Sequence, residues 1–423
     1  MDARSYRLRC CACGTEFDDD GVQLTCTNAH APALLRTVYP TRRLEVEEVP
    51  SIARYQRWLP RGRALATQAR CAVYRSEGLA RHLGLNELWI AFSGWWPERG
   101  ATLETTSFKE LEAVTVLGRL SPGERRTLVV ASAGNTAAAF ARAGTELGIP
   151  ILIVIPLDAW ERIASLVDIG PPVRVVAIAE AGYDEAIALA QRLATHEGYV
   201  AEGGVRNVAR RDGMGTVLLA AAEAMGILPQ SYFQAVGSAA GALATYEAAL
   251  RLVADGRFGM RVPRLMLSQN APFTPIHDAW ERRRATLAER SPATVRDQLS
   301  RMAASVLSNQ NPPYATIGGV REALVASNGR TYAISNEELQ NAMSLFAELE
   351  GIDIEPAAGV ATAALIRAAR ASDVARHERI LLHITGGGAR RVERREPTAR
   401  PTLVVERDEP PTRAADRVRS FFP

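Results

Sequence analysis

The stretch Thr127-Leu-Val-Val-Ala-Ser132-Ala-Gly-Asn135-Thr-Ala-Ala-Ala-Phe-Ala-Arg-Ala-Gly-Thr-Glu-Leu147 carries the fold signal of this chain. An apolar run, Thr127–Ala131, ends in Ser-Ala-Gly-Asn and opens into an alanine-rich segment at 136–147, the pattern of a buried strand feeding a helix. The alternation continues outward. Residues 151–155 precede a helix-like segment at 159–168, Val173–Ile178 precedes 183–196, and 232–236 precedes 242–253. Further strand-like runs lie at 265–268 and 380–384. Strands that are apolar throughout are buried on both faces, which predicts an α/β fold with a mostly parallel sheet covered by helices. The tail from Arg391, rich in Arg, Glu and Pro, reads as a peripheral strand at 402–405 within solvated segments.

With 423 residues the chain is long enough for two or three domains and a large core. Hydrophobic residues make up 47% and charged residues 23%, which excludes wholesale disorder, collagen and coiled coil. The longest mainly apolar run, 147–157, is too short to span a bilayer. Met1-Asp-Ala-Arg leads into polar residues and cysteines, so a cytoplasmic protein is expected. The net charge of +3 gives no electrostatic case for a nucleic-acid or membrane partner.

Lys and Arg total 50, yet Lys109 is the only lysine. Arginine replaces lysine as a surface cation but not as a nucleophilic amine, because guanidinium stays protonated. Lys109 is therefore a candidate for amine chemistry. It follows Thr105, Thr106 and Ser107, which read as helix caps, so it falls in the first turn of a helix, where the dipole disfavours a cation. Ser132-Ala133-Gly134-Asn135-Thr136 ends a strand and opens a helix, a place for a substrate carboxylate. Gly237-Ser238-Ala239-Ala240-Gly241 has the same placement, and its small residues let backbone amides close on a phosphate. It is neither a Walker A loop nor GxGxxG, so ATP and NAD fit poorly. Thr385-Gly386-Gly387-Gly388 closes the last buried strand and offers a hydroxyl to a heterocycle nitrogen. A Schiff-base lysine, a phosphate cup, a carboxylate loop and that hydroxyl are together what pyridoxal 5'-phosphate requires.

Residues 1–45 look separate. Cys10-x2-Cys13, then Cys26-x3-His30, resembles a small zinc ribbon, with Gly14 suited to the tight turn; a vestige whose cysteines simply pack is the other reading.

The order of these motifs resembles the fold type II pyridoxal-phosphate enzymes, in the threonine synthase-like group, from about Cys10 to Gly388. Asn207-Val-Ala-Arg210-Arg-Asp-Gly213-Met-Gly-Thr216 is similar to the Asn-Pro-x-Arg-x-x-Gly-x-x-Thr stretch of threonine synthases. Glu110-Leu111 after the lysine, where threonine synthases usually have Asp-Arg, and Gly215 in place of their lysine set the chain apart from them. Ser93-Gly-Trp-Trp-Pro-Glu98, Ser268-Gln-Asn-Ala-Pro-Phe273 and Ser308-Asn-Gln-Asn-Pro-Pro-Tyr314 are most similar to the cysteate synthase branch.

The resemblance implies two doubly wound α/β domains of the tryptophan synthase β type with the cofactor between them. The expected division is a Cys-rich segment at 1–45, a large domain at 46–117 and 206–423, and a small mobile domain at 118–205. It implies β-replacement on O-phospho-L-serine by sulfite, with Lys109 as Schiff-base lysine and base. Asn135 is expected on the cofactor's 3-oxygen, 237–241 on its phosphate and Thr385 on its ring nitrogen. Thr106, Ser107 and 132–136 are expected on the substrate, and Arg210 on its phosphate. Threonine synthase activity, another β-replacement or elimination, and a non-catalytic relative of the fold are the alternatives. A homo-oligomer is compatible with this reading, and a structural zinc would sit on Cys10, Cys13, Cys26 and His30.

Overall fold

The computed structural model describes residues 4–132, 134–393 and 400–421. The strand–helix alternation resolves into two parallel sheets. The larger has the order Arg330–Ile334, Arg264–Asn270, Ser231–Ala235, Arg379–Ile384, Glu87–Phe92, Ala72–Arg75. Only the edge strand Ala72–Arg75 runs antiparallel to its neighbour. The smaller sheet has the order Tyr199–Ala201, Thr127–Ala131, Ile151–Pro156, Val173–Ile178, Leu403–Val405, all parallel. Ile151–Pro156 is buried along its whole length, as a strand covered on both faces must be. Open parallel sheets bind ligands beyond the carboxyl ends of their strands. Three of the loops singled out above lie there: 132–136 after Thr127–Ala131, 237–241 after Ser231–Ala235, and 385–388 after Arg379–Ile384.

The tail departs from expectation. The large domain was drawn through 423, but Leu403–Val405 pairs with Val173–Ile178 and so belongs to the smaller sheet. The helix Pro411–Phe421 buries Ala414, Ala415 and Val418 against Leu189, Ala190 and Leu193 of the helix Tyr183–Leu193. Its arginine-rich outer face had masked that apolar stripe.

The N-terminal segment is a sheet of its own, Glu16–Asp18, Arg7–Cys10 and Leu35–Val38, antiparallel throughout. It is bolted onto the helices Lys109–Arg119 and Val208–Met225 rather than tethered. Thr37 Oγ1 and Tyr39 OH donate to Asp212 at 2.6 and 2.7 Å. Arg119, fully buried at the end of the helix Lys109–Arg119, donates to both oxygens of Asp19 at 2.9 and 2.7 Å and to Asn207 Oδ1 at 2.9 Å. Among the described residues no helix is long and apolar enough to cross a membrane.

Removing one partner of a buried ion pair leaves an uncompensated charge. Arg119→Met should lower the unfolding free energy by about 3–5 kcal/mol. Adding Asp19→Asn should recover most of the loss, and urea denaturation of the single and double variants measures both.

Candidate active site

Lys109 is the first residue of the helix Lys109–Arg119. The expected capping by Thr105, Thr106 and Ser107 is not what the structure shows. The residue before the helix is Phe108, and no side chain caps it. The three hydroxyl residues form a turn held from both sides. The Glu110 carboxylate reaches back to accept from Thr105 N and Oγ1 at 2.9 and 3.0 Å. On the other side the turn pairs with the glycine triplet. Phe108 N donates to Thr385 O at 3.0 Å, Gly387 N donates to Thr106 O at 2.9 Å, and Ser107 bridges Gly386. Thr106 adopts φ +58°, a backbone conformation that pairing on both sides sustains.

Glycine at 386 is a packing requirement. A Cβ there would lie 2.7 Å from the carboxyl carbon of Glu355 and 3.0 Å from Thr106 O. Glu355 is central to the site, and the sequence reading did not name it. Its carboxylate accepts from Asn135 Nδ2 at 2.7 Å and from Thr106 Oγ1 at 3.4 Å. Burial pushes its carboxyl up to about 7, against the pull of Asn135, the Arg162 guanidinium and Thr106. Its sequence signal was Glu355-Pro356 at the opening of the long alanine-rich helix Pro356–Arg370.

Glu112 is the second carboxylate the sequence reading missed. It lies one helical turn beyond Lys109, on the same face, and is fully buried. Glu112 Oε2 sits 3.3 Å from Lys109 Nζ, while Oε1 accepts from Thr136 Oγ1 at 2.8 Å and Arg210 Nη1 at 2.7 Å. Burial and the Arg210 guanidinium hold the Lys109 amine below the usual lysine range, with Glu112 opposing. The Lys109 side chain keeps 21% of its surface exposed, against none for Glu112.

Arg210 is inside the site but differs from the expectation of an open anion contact. It also binds Glu202, with Nε and Nη2 on its two oxygens at 2.8 and 2.6 Å. A fork already filled by two carboxylates has little to offer a third anion. Arg211 is likewise spent, on Glu247 at 2.9 Å and on backbone carbonyls.

The remaining expected residues fall as follows. Ser132 Oγ accepts from Gly134 N and Ala137 N at 3.1 and 3.2 Å, so it shapes the turn. Gly134 and Asn135 complete the start of the helix Asn135–Leu147, while Ala133 lies outside the described residues. Gly237 packs 3.1 Å, by its missing Cβ, from the backbone of Leu307. Ser238 Oγ accepts from Ala240 N at 3.4 Å, and Ala239, which takes φ +58° before the helix Ala240–Asp255, has no side chain to cap it. The first amides of that helix have no intrahelical partner and suit an anion. Gly241 abuts the Phe108 ring, 2.9 Å from a Cβ there, which places this loop against the lysine turn.

These residues fit pyridoxal phosphate. Ser107 Oγ is buried with no hydrogen-bond partner, an orphan that a bound group would satisfy. The lysine amine, the uncapped glycine-rich helix start and the strand-end Thr385 converge on the same turn. The N-terminal cluster also fits its expected ion. One ligand atom from each of Cys10, Cys13, Cys26 and His30 lies within 4.8 Å of the others. Ala12 N and Asn28 N point at the sulfurs of Cys10 and Cys26, each at 3.4 Å, and His30 Nδ1 is 2.7 Å from Ala31 O, which leaves Nε2 on the cluster side.

Residues 70–386 match the family model described as pyridoxal-phosphate dependent enzyme. The chain is 43% identical over 420 residues to a cysteate synthase of Methanospirillum hungatei, covering 99% of this chain and 98% of that one. It is 47% identical over 384 residues to a cysteate synthase of Methanoculleus marisnigri, covering 90% and 88%. Maize serine racemase shares the fold, with a TM-score of 0.57, 15% identity, and coverage of 76% of this chain and 89% of that one.

Gly386→Ala tests how tightly the site is closed. Forcing a methyl between Glu355 and Thr106 should cost about 1–3 kcal/mol in stability, as overpacking does. Thermal denaturation against wild type reads the loss.

Proposed function

The chain belongs to the pyridoxal-phosphate-dependent enzyme family, and from that premise we propose that it is a cysteate synthase converting O-phospho-L-serine and sulfite to L-cysteate and phosphate. The observation that carries the reading is the likeness to cysteate synthases over nearly the whole of both chains. Lys109 would hold the cofactor through its amine, the 237–241 loop its phosphate and Thr385 its ring nitrogen. Bound there, the cofactor supplies an electron-withdrawing ring that makes the substrate's α-proton removable. Lys109 Nζ, freed when the substrate amine arrives, takes that proton and later returns one to the same carbon. Between the two transfers phosphate leaves Cβ and a carbon–sulfur bond forms to sulfite. The turn that opens the helix Asn135–Leu147 receives the substrate carboxylate, and Ser107 contributes an unspent hydroxyl from the lysine turn. Arg210 acts on the substrate's phosphate only if it gives up a carboxylate.

We read the N-terminal cluster as a structural zinc site, because three thiolates and an imidazole are a closed tetrahedral donor set.

Purified protein given phosphoserine and sulfite should release cysteate and phosphate in equal amounts. Lys109→Ala and Lys109→Arg should each lose at least about 10³-fold, since guanidinium cannot replace the amine. Threonine from phosphohomoserine, with no cysteate from phosphoserine, would reject the assignment in favour of threonine synthase. Metal analysis should find about one zinc per chain, lost in Cys10→Ser/Cys13→Ser.

A further inference from the structure

We infer that Glu112 is a positioning residue for the reactive amine: it orients Lys109 Nζ and ties it to the loop that receives the substrate carboxylate. The inference deepens the proposed function and rests on it for the role of Lys109. Three contacts meet on this one carboxylate. Oε2 faces Nζ at 3.3 Å, while Oε1 is fixed by Arg210 at 2.7 Å and by Thr136 Oγ1 at 2.8 Å. Arg210 is itself fixed by both oxygens of Glu202, and Glu202 Oε2 accepts from Gly204 N at 2.9 Å. The carboxylate therefore has one oxygen locked by neighbours and one left for the lysine. A side chain so pinned cannot follow the amine, so the amine must come to it. Lys109 changes partners during turnover, and between partners it needs a resting place within reach of the substrate. Glu112 provides that place on the lysine's own helix, a turn further on.

Thr136 gives the arrangement its second use. It belongs to the helix Asn135–Leu147 of the smaller domain, next to the turn expected to hold the substrate carboxylate. A shift of that turn on substrate binding passes through the Thr136 hydroxyl to Glu112, and from Glu112 to the amine.

The charged and titratable groups around Lys109 are Glu112 on its own helix, Arg210 on the helix Val208–Met225 and Glu202 before it. Tyr183, at the start of the helix Tyr183–Leu193, feels the same three charges of Arg210, Glu202 and Glu112. Glu112 and Glu202 favour the ammonium, whereas burial and Arg210 favour the free amine. Glu112→Gln removes the nearest negative charge at constant shape. The amine should then lose its proton at lower pH.

The single lysine makes this directly measurable. Reductive methylation of the cofactor-resolved full-length chain with ¹³C-formaldehyde labels one ε-amine, whose NMR shift titrates separately from that of the N-terminus. In Glu112→Gln the titration should move down by about one pH unit. In the loaded enzyme the acid limb of the kcat–pH profile should move the same way. Glu112→Asp keeps the charge but shortens the reach, and should shift the titration down by less. If Glu112→Gln does not fold, Glu112→Asp carries the test. Titrations of the folded variants that overlay wild type would overturn the inference and leave Glu112 a partner of Arg210 only. The NMR titration needs neither sulfite nor phosphoserine, so a failure of the substrate assignment would not be mistaken for a failure here.

Discussion

The arrangement of this site depends on a short backbone pairing, that of the turn at 106–108 with Thr385, Gly386 and Gly387. Hydrogen bonds between two strand-end segments fix the helix of Lys109 relative to the central strand of the larger sheet. Such pairing requires the backbones to approach closely, and a side chain at 386 would meet Glu355. The glycine triplet is thus the complement of Glu355, which in turn holds Asn135, at the start of the helix that follows a strand of the smaller sheet. The pairing, the glycines and the carboxylate form one constraint.

Around that constraint the interior alternates charges. Glu112, Arg210 and Glu202 form one chain, Asp19 and Arg119 a second, Glu247 and Arg211 a third, Asp212 and Arg251 a fourth. The first two join elements about a hundred residues apart, and the last two clamp the neighbouring helices Val208–Met225 and Ala240–Asp255. The guanidinium fork suits this work because it binds carboxylates with two parallel donors and stays charged when buried. The arginine-rich composition thus serves the interior as well as the surface.

Much of the fold was legible. Thr127–Ala131 and Val173–Ile178 stand where the apolar runs placed them, because a strand buried on both faces leaves a continuous signature. Gly237–Gly241 follows the strand Ser231–Ala235 and opens a helix, the placement its small residues had implied. Glu112 and Glu355 were not. A glutamate in a helix, such as Glu112, normally faces water, and the Glu355-Pro356 pair marks a helix opening rather than a buried carboxylate. Arg210 stood out by motif, but its partners come from helices and loops elsewhere in the chain. Thr105, Thr106 and Ser107 had the chemistry of caps, yet pairing with a distant strand decided their geometry. The short strand Leu403–Val405 gave too brief a signal to show which sheet it would join.

That last strand also bears on how the protein is made. The smaller sheet is begun by Thr127–Ala131 and completed by Leu403–Val405. During synthesis the edge of Val173–Ile178 has no neighbour on that side until the residues between 178 and 403 have also been made. Through that interval an apolar parallel edge is open to other chains. Leu403–Val405 thus acts as an internal cover, and the smaller sheet, though begun early, waits for a strand made long after its other four.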